Sequence, residues 1–466
     1  MSQKNETTVL AVSLLTTLAI MGGGGWWFSK HLGTGNSVNP NPPEKKNLTL
    51  PERISFGEKT LITGDTTPEK QAGINAIANR NYNQAIINLE SSLRGAPNDP
   101  EALIYLNNAR IGSAKSYTIV VSAPLHTNKD PALELLRGVA QAQNEINAGD
   151  KIQGVFLKVG IASDDDKPEV AKEVATSLVN NPQVLGVVGH FGSDTSIAAG
   201  TVYNSGQLVA ISPTSTSVQI SNSSPYIFRT VPSDFIAARA LANYMINTLQ
   251  KRKAVVFFNS KSNYSQSLKA EFVTSVGLQG GDVSDEFDLS DVNFNAAQSL
   301  QQANQQGAEV VMLAANTATL DPALKVIEIN QGRLTLLGGD SLYSNKILAE
   351  GQAQTVGMVV AAPWHIAGNP QAIFPSQSRN LWKGDVSWRT AMSYDATVAL
   401  SAALKRNPTR AGVQQALSAP DFTANGASGV VRFLRSGDRN TSVQLVKIVP
   451  ASPSRSGTGF DFEPVR

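Results

Sequence analysis

Hydroxyl-bearing residues cluster in two loops of this 466-residue chain, and each loop follows an apolar run. The run Val184-Leu185-Gly186-Val187-Val188-Gly189 leads into His190-Phe191-Gly192-Ser193-Asp194-Thr195-Ser196, which opens a helical stretch ending near Asn204. A second run, Leu208-Val209-Ala210-Ile211, breaks into Ser212-Pro213-Thr214-Ser215-Thr216. Tyr226-Ile227-Phe228-Arg229-Thr230 then leads into Val231-Pro232-Ser233-Asp234. In an open α/β sheet the carboxyl edge of the strands is where ligands sit. Free N–H groups at a helix start, joined by Ser and Thr hydroxyls, suit a carboxylate. The same residue types also fill turns and N-caps, so it is the ordered set, not any one member, that points to a ligand.

Catalytic patterns are missing from the sequence. There is no Gly-x-Ser-x-Gly elbow, no Walker A run, no His-Glu-x-x-His, and no Gly-x-Gly-x-x-Gly after a strand. Gly186, Gly189 and Gly192 are wrongly spaced for a dinucleotide loop. The chain has no cysteine, which excludes disulfides, thiolate metal sites and a lipid-modified N-terminal Cys. Its four histidines, His31, His126, His190 and His365, are scattered, so no metal site is expected. His190 at a strand end is expected to be packed and hydrogen-bonded, and Trp364-His365 to pack at a hinge. These features argue against an enzyme and imply no cofactor.

The elements that must hold those loops alternate from Ser116 onward. Tyr117–Val121 reads as a buried strand; Asp130-Pro131 starts a helix with Asp as N-cap and Pro at its first position. Phe156–Ile161 is a strand and Pro168–Val179 a helix. Beyond the hydroxyl loops come a helix from Asp234, a strand at Ala254–Phe258 and a helix from Tyr264. A strand at Glu309–Ala314, a helix from Leu320 and a strand at Leu334–Leu337 follow. Repeated βα units predict α/β architecture with parallel sheets covered on both faces, and the length suits two of them. Upstream, Thr67 to Arg110 has helical spacing, with Gly73, Tyr82, Ala85, Leu89, Leu93 and Pro97 placed as in a tetratricopeptide-like unit. Small residues there let two helices pack closely. Only about one repeat plus a following helix is visible, so a helical spacer packed on the next domain stands beside a protein-docking module.

Val9 to Phe28 carries no charge, and about twenty such residues cross a bilayer. Trp26 and Trp27 fall where an interfacial anchor would sit. An uncleaved transmembrane helix within residues 1–32 is the expectation; a cleaved signal peptide is the alternative, though no Ala-x-Ala site follows. Residues 33–52, rich in Asn, Pro and Gly, read as a linker. The net charge is only +2 with no basic run, which gives no nucleic-acid footprint.

Between Tyr117 and Val449 the chain resembles the type I periplasmic binding proteins, in particular the branched-chain amino-acid (Leu/Ile/Val) group that serves ABC transporters. The pieces that carry the likeness are Gly189-His190-Phe191-Gly192-Ser193, Ile211-Ser212-Pro213, Phe228-Arg229-Thr230 and Tyr394-Asp395-Ala396-Thr397. Gly429-Val430-Val431-Arg432-Phe433 with its Ser436-Gly437-Asp438 turn also fits. Their order and spacing are more specific than any single piece.

The resemblance implies two Rossmann-like lobes joined by three crossovers, near Val231–Asp234, near Ala361–Trp364 and close to the strand Val443–Ile448. Lobe 1 would span about 116–232 and 366–442, lobe 2 about 233–365 and 443–450. Residues 53–112 would be the helical segment and 451–466 a loosely held tail. The resemblance further implies an amino-acid site. Ser193 and Thr216 would hold the carboxylate, Thr214 and Ser215 would offer mainly backbone groups, Asp340 would hold the α-ammonium, and Tyr264 would line the cleft. Asn316 falls where the family has an aromatic residue, and Ser122–Lys129 replaces its Gly-containing loop. Both departures favour a more polar pocket, so the implied ligand is an amino acid or a related small polar molecule. The implied role is solute capture by hinge closure outside the cytoplasm, with an ABC permease as partner. A membrane-anchored sensor or scaffold acting through residues 67–110 is the alternative.

Overall fold

The alternating βα pattern resolves, in a computed structural model, into two sheets. The structure describes residues 48–62, 64 and 66–465; the anchor expected within residues 1–32 and most of the 33–52 linker lie outside them. In lobe 1 the strands are β1 (Ile54–Ser55), β2 (Ser116–Ala123), β3 (Phe156–Ser163), β4 (Val184–Val188), β5 (Ala210–Ser212) and β6 (Ile227–Arg229), in the order β1-β3-β2-β4-β5-β6. All pairings are parallel except β1 with β3. Lobe 2 holds β7 (Lys253–Phe258), β8 (Asp282–Asp288), β9 (Val310–Ala314), β10 (Thr335–Gly338) and β11 (Val359–Ala362). After a small hairpin, β12 (Ala424–Gly426) with β13 (Gly429–Val431), the chain returns to lobe 2 as β14 (Gln444–Pro450) and β15 (Phe460–Pro464). The second sheet runs β15-β14-β11-β10-β9-β7-β8. Both sheets reverse strand order beside their first parallel strand, between β2 and β4 and between β7 and β9. Such reversals open a crevice at the carboxyl ends of the strands.

The central strands are continuous runs of Val, Ile, Leu and Ala because helices cover both faces of each sheet. Ile119, Val120 and Val121 of β2 and Val310 to Ala314 of β9 are fully buried. The chain passes between lobes three times, after β6, after β11 and after β13, as the resemblance implied.

Three expectations need correction. The expected tail is not loose: β15 pairs antiparallel with β14 from Val446↔Pro464 to Pro450↔Phe460. Its Phe462 ring stacks on Tyr343 at 4.3 Å. The alternation in Phe460-Asp461-Phe462-Glu463 is the strand signal, and the Pro, Ser and Gly before it obscured it. Next, residues 53–55, assigned to the helical segment, belong to lobe 1. Ile54 pairs with Ala162, and Arg53 makes a 2.6 Å ion pair with Asp165. A two-residue strand is too short to show a period. Finally, the helix expected to start at Asp130 begins at Lys129, and Asn128 occupies the cap position without a side-chain cap bond.

The helical segment consists of Pro68–Ala78, Tyr82–Gly95 and Pro100–Ile111, capped in turn by Thr67, Asn81 and Asp99 side chains. A Cβ on Gly73 would meet Leu89 at 2.6 Å, so only glycine permits this approach of the first two helices. The third helix packs on lobe 1. Asn108 donates to the carbonyls of Phe56 (2.9 Å) and Val159 (2.7 Å) and accepts from Gln143 (2.9 Å). Leu61, Ile74, Leu89 and Ile104 share one buried cluster with Ile119 and Leu135 of lobe 1.

Candidate functional site

The loop after β4 is held by its own side chains. His190 is fully buried, with Nδ1 2.5 Å from Asp164 and Nε2 2.9 Å from the Tyr203 hydroxyl, the packed role expected of it. Its carbonyl accepts from Ser212 Oγ (2.8 Å) and Ser215 Oγ (3.3 Å). Thr214 Oγ1 donates to the Phe191 carbonyl at 2.8 Å. The Thr214 and Ser215 hydroxyls therefore fasten the β5 loop to the β4 loop.

Ser193 and Thr216 are arranged differently. Ser193 is the first residue of the helix Ser193–Gly206; its Oγ accepts from the Ser217 N–H at 3.2 Å and keeps its own proton to donate. Thr216 is 2% exposed, yet its Oγ1 has no partner. Its carbonyl accepts from the Asp234 N–H at 2.8 Å, which ties the β5 loop to the first crossover.

Asp234 opens the helix Asp234–Asn243, is buried, and has an unpartnered Oδ2. Burial pushes its carboxyl up to about 7, the Ser267 hydroxyl opposes, and the negative Asp340 adds to the rise. Asp340 follows β10 in the turn Asp340–Leu342. Burial raises it to about 6, against the pull of the Arg389 guanidinium and the Tyr264 hydroxyl. Burial, then Asp340 and Asp234, lift Tyr264 well above the ordinary phenol range, so its O–H remains a donor. Gly339 makes room for that phenol: a Cβ there would lie 2.4 Å from the Tyr264 hydroxyl.

The lobes touch around these groups. Asn263 Nδ2 donates to Asp194 at 2.5 Å, the Val218 N–H donates to Ser267 Oγ at 3.0 Å, and Arg389 donates to the Tyr343 carbonyl at 3.2 Å. Ser193 and Thr216 thus stand on one side of a closed junction, Tyr264 and Asp340 on the other, with Asp234 where the chain crosses. Asn316 is not part of this group. It caps the turn Thr317–Thr319 and accepts from Asn259 Nδ2 at 3.0 Å and Thr319 Oγ1 at 2.8 Å. Sequence reasoning missed Asp234, Ser267 and Arg389. Asp234 sat in the expected crossover and was read only as the start of a helix.

A family model described as periplasmic binding protein matches residues 126–452, well over half of the chain. The chain belongs to the periplasmic binding protein family. Members of that family are solute-binding proteins rather than enzymes, and they work outside the cytoplasm. Among relatives of this binding protein, an amino acid binding protein from Pseudomonas aeruginosa is 35% identical over 133 residues, 28% of this chain and 35% of that one. The match therefore spans about a third of that relative's length. A leucine-specific-binding protein from Salmonella typhimurium is 25% identical over 312 residues, 64% of this chain and 80% of the relative. In structure, an ABC transporter substrate-binding protein from Desulfitobacterium hafniense in complex with Leu has a TM-score of 0.63 at 23% identity, covering 75% of this chain and all of that one. A further substrate-binding protein, from Sphaerobacter thermophilus, scores 0.67 at 18% identity, covering 76% and 97%. These two likenesses give the fold.

Proposed function

We propose that this binding protein captures an amino acid between its lobes and presents it to the permease of an ABC transporter. The observation that carries the reading is a pair of buried polar atoms that lack a well-formed hydrogen bond among the described residues, Thr216 Oγ1 in lobe 1 and Asp234 Oδ2 at the first crossover. Nearly all buried polar groups in folded proteins find a partner, and these two complement the two ends of a zwitterion. The carboxylate is held by the Ser193 and Thr216 hydroxyls at the start of the helix Ser193–Gly206. The ammonium meets Asp340 and Asp234, with the Tyr264 phenol closing over it. Relatives named for leucine and for amino acids in general support this ligand class. Because the two ends of the ligand engage different lobes, only the closed form makes both sets of contacts, and binding shifts the population toward it.

A thermal-shift screen of the purified chain against the amino acids tests the reading. A ligand at a hundredfold excess over its dissociation constant stabilises the fold by about 2.7 kcal/mol. The expected result is a hit that disappears in Asp340→Ala. A screen without any amino-acid hit defeats the proposal. We propose further that residues 9–28 anchor the protein as an uncleaved helix; release by alkaline carbonate would show a cleaved leader instead. Among the described residues no helix is long and apolar enough to cross a membrane.

A further inference from the structure

Arg389 is a buried cation whose nearest acids, Asp340 and Glu134, attract it only from beyond ion-pair contact. It lies in the first turn of the lobe 1 helix Trp388–Arg406, 6% exposed. Cations are disfavoured at that end of a helix, where the free N–H groups are already positive, so helix stability does not explain it. Among the described residues its side chain makes one hydrogen bond, to the Tyr343 backbone carbonyl across the junction at 3.2 Å, and its Nε has no partner. Its guanidinium carbon lies 4.4 Å from the centre of the Trp388 ring. Among the described residues it forms no ion pair.

The nearby carboxylates are otherwise engaged. Glu134 accepts from Ser387 Oγ (2.8 Å) and Thr390 Oγ1 (2.6 Å) and pairs with Arg137 at 3.1 Å. Asp340 attracts the guanidinium but is out of ion-pair contact, and it is the acid assigned to the ligand's ammonium. A buried guanidinium left without an anion is costly. A purely aliphatic ligand side chain would leave it so.

We propose that Arg389 receives a second carboxylate carried by the ligand, making an acidic amino acid the preferred solute of this cleft. The inference rests on the amino-acid reading above, with the α-carboxylate on Ser193 and Thr216. It makes Arg389 a specificity-determining residue: the planar fork of its side chain suits two-point contact with a carboxylate. The Nε and one terminal nitrogen are the pair of donors available while the other terminal nitrogen keeps Tyr343.

Isothermal titration of the full chain with L-glutamate, L-aspartate, L-glutamine and L-leucine tests this, using wild type, Arg389→Met and Arg389→Lys. In the wild type a dicarboxylic amino acid should bind at least about tenfold more tightly than leucine, the yield of one charge-assisted contact. Arg389→Met should weaken it by about a hundredfold, at least about tenfold more than it weakens leucine, which loses only the closure contact to Tyr343. Arg389→Lys keeps the charge without the fork, should recover part of the loss, and serves if the Met variant does not fold. Leucine binding more tightly than either dicarboxylate overturns the inference and leaves the amino-acid reading standing. Equal losses for leucine and glutamate in folded Arg389→Met also overturn it, by placing Arg389 on the α-carboxylate. Binding of no amino acid overturns both.

Discussion

Thr216 and Asp234 allow stability and binding to be separated at single residues. A buried polar atom without a partner costs about 1–3 kcal/mol, so replacing the Thr216 hydroxyl by a methyl in Thr216→Val should leave the ligand-free melting temperature unchanged or higher. The same change should weaken amino-acid binding by about tenfold, the value of one hydrogen bond to a charged group; titration alongside calorimetry reads both. Asp234 and Asp340 set the pH response. Their carboxyls are raised to about 7 and about 6, so the empty fold holds protons that the unfolded chain has already released. The stability these two acids contribute is therefore fully present below the unfolded carboxylate range, near about pH 4, and is lost as pH rises through about 7. An ammonium ligand favours the ionised carboxylates, so affinity should run the opposite way, rising from about pH 5 to about pH 8 with proton release on binding. Titration in two buffers of different ionisation enthalpy would detect those protons; affinity flat across the range would remove these acids from the site. Ser193, Thr216, Tyr264 and Asp340 could be expected from the sequence only through the resemblance to a family whose motifs match the loops they sit in. Asp234 and Arg389 could not, because a lone charge carries no period, and only the approach of the two lobes reveals that it is buried.

Elements longer than about five residues were largely readable. Strands such as Val310–Ala314 announce themselves as unbroken apolar runs, and helices such as Pro100–Ile111 by Asp-Pro starts. The misses include three strands at sheet edges, β1, β15 and the seven-residue β8, whose polar Asp282–Asp288 has no apolar run. β1 owes its existence to β3, far away in sequence, whereas β15 is the hairpin neighbour of β14 and is fixed further by the distant Tyr343. Phe462→Ala should accordingly cost about 3–5 kcal/mol, the usual range for a buried aromatic truncation, measurable by denaturant unfolding. A loosely held tail would show almost no change. At the helical hairpin, Gly73→Val drives a side chain into Leu89 and should destabilise by about 1–3 kcal/mol through overpacking, with amino-acid affinity preserved. Loss of affinity as well would tie the hairpin to the cleft.

At the scale of the whole molecule the two lobes meet through a few polar contacts rather than a continuous core, as a hinge that must reopen requires. The Asp194–Asn263 contact joins the lobes with no role assigned in holding ligand. Asp194→Ala should weaken closure, raise the radius of gyration of the ligand-bound protein in solution scattering, and reduce affinity by about tenfold or more. Unchanged scattering and affinity would mean that closure does not depend on this latch. The path of the chain carries a different consequence. The helix Trp388–Arg406, which packs along Lys129–Ala148 in lobe 1, is made only after most of lobe 2, and β14 and β15 come last of all. During synthesis, then, neither lobe can complete its core until nearly the entire polypeptide has emerged, and pairings this distant form slowly. A chain so threaded keeps its folding late, which would suit a protein that has to cross a membrane unfolded.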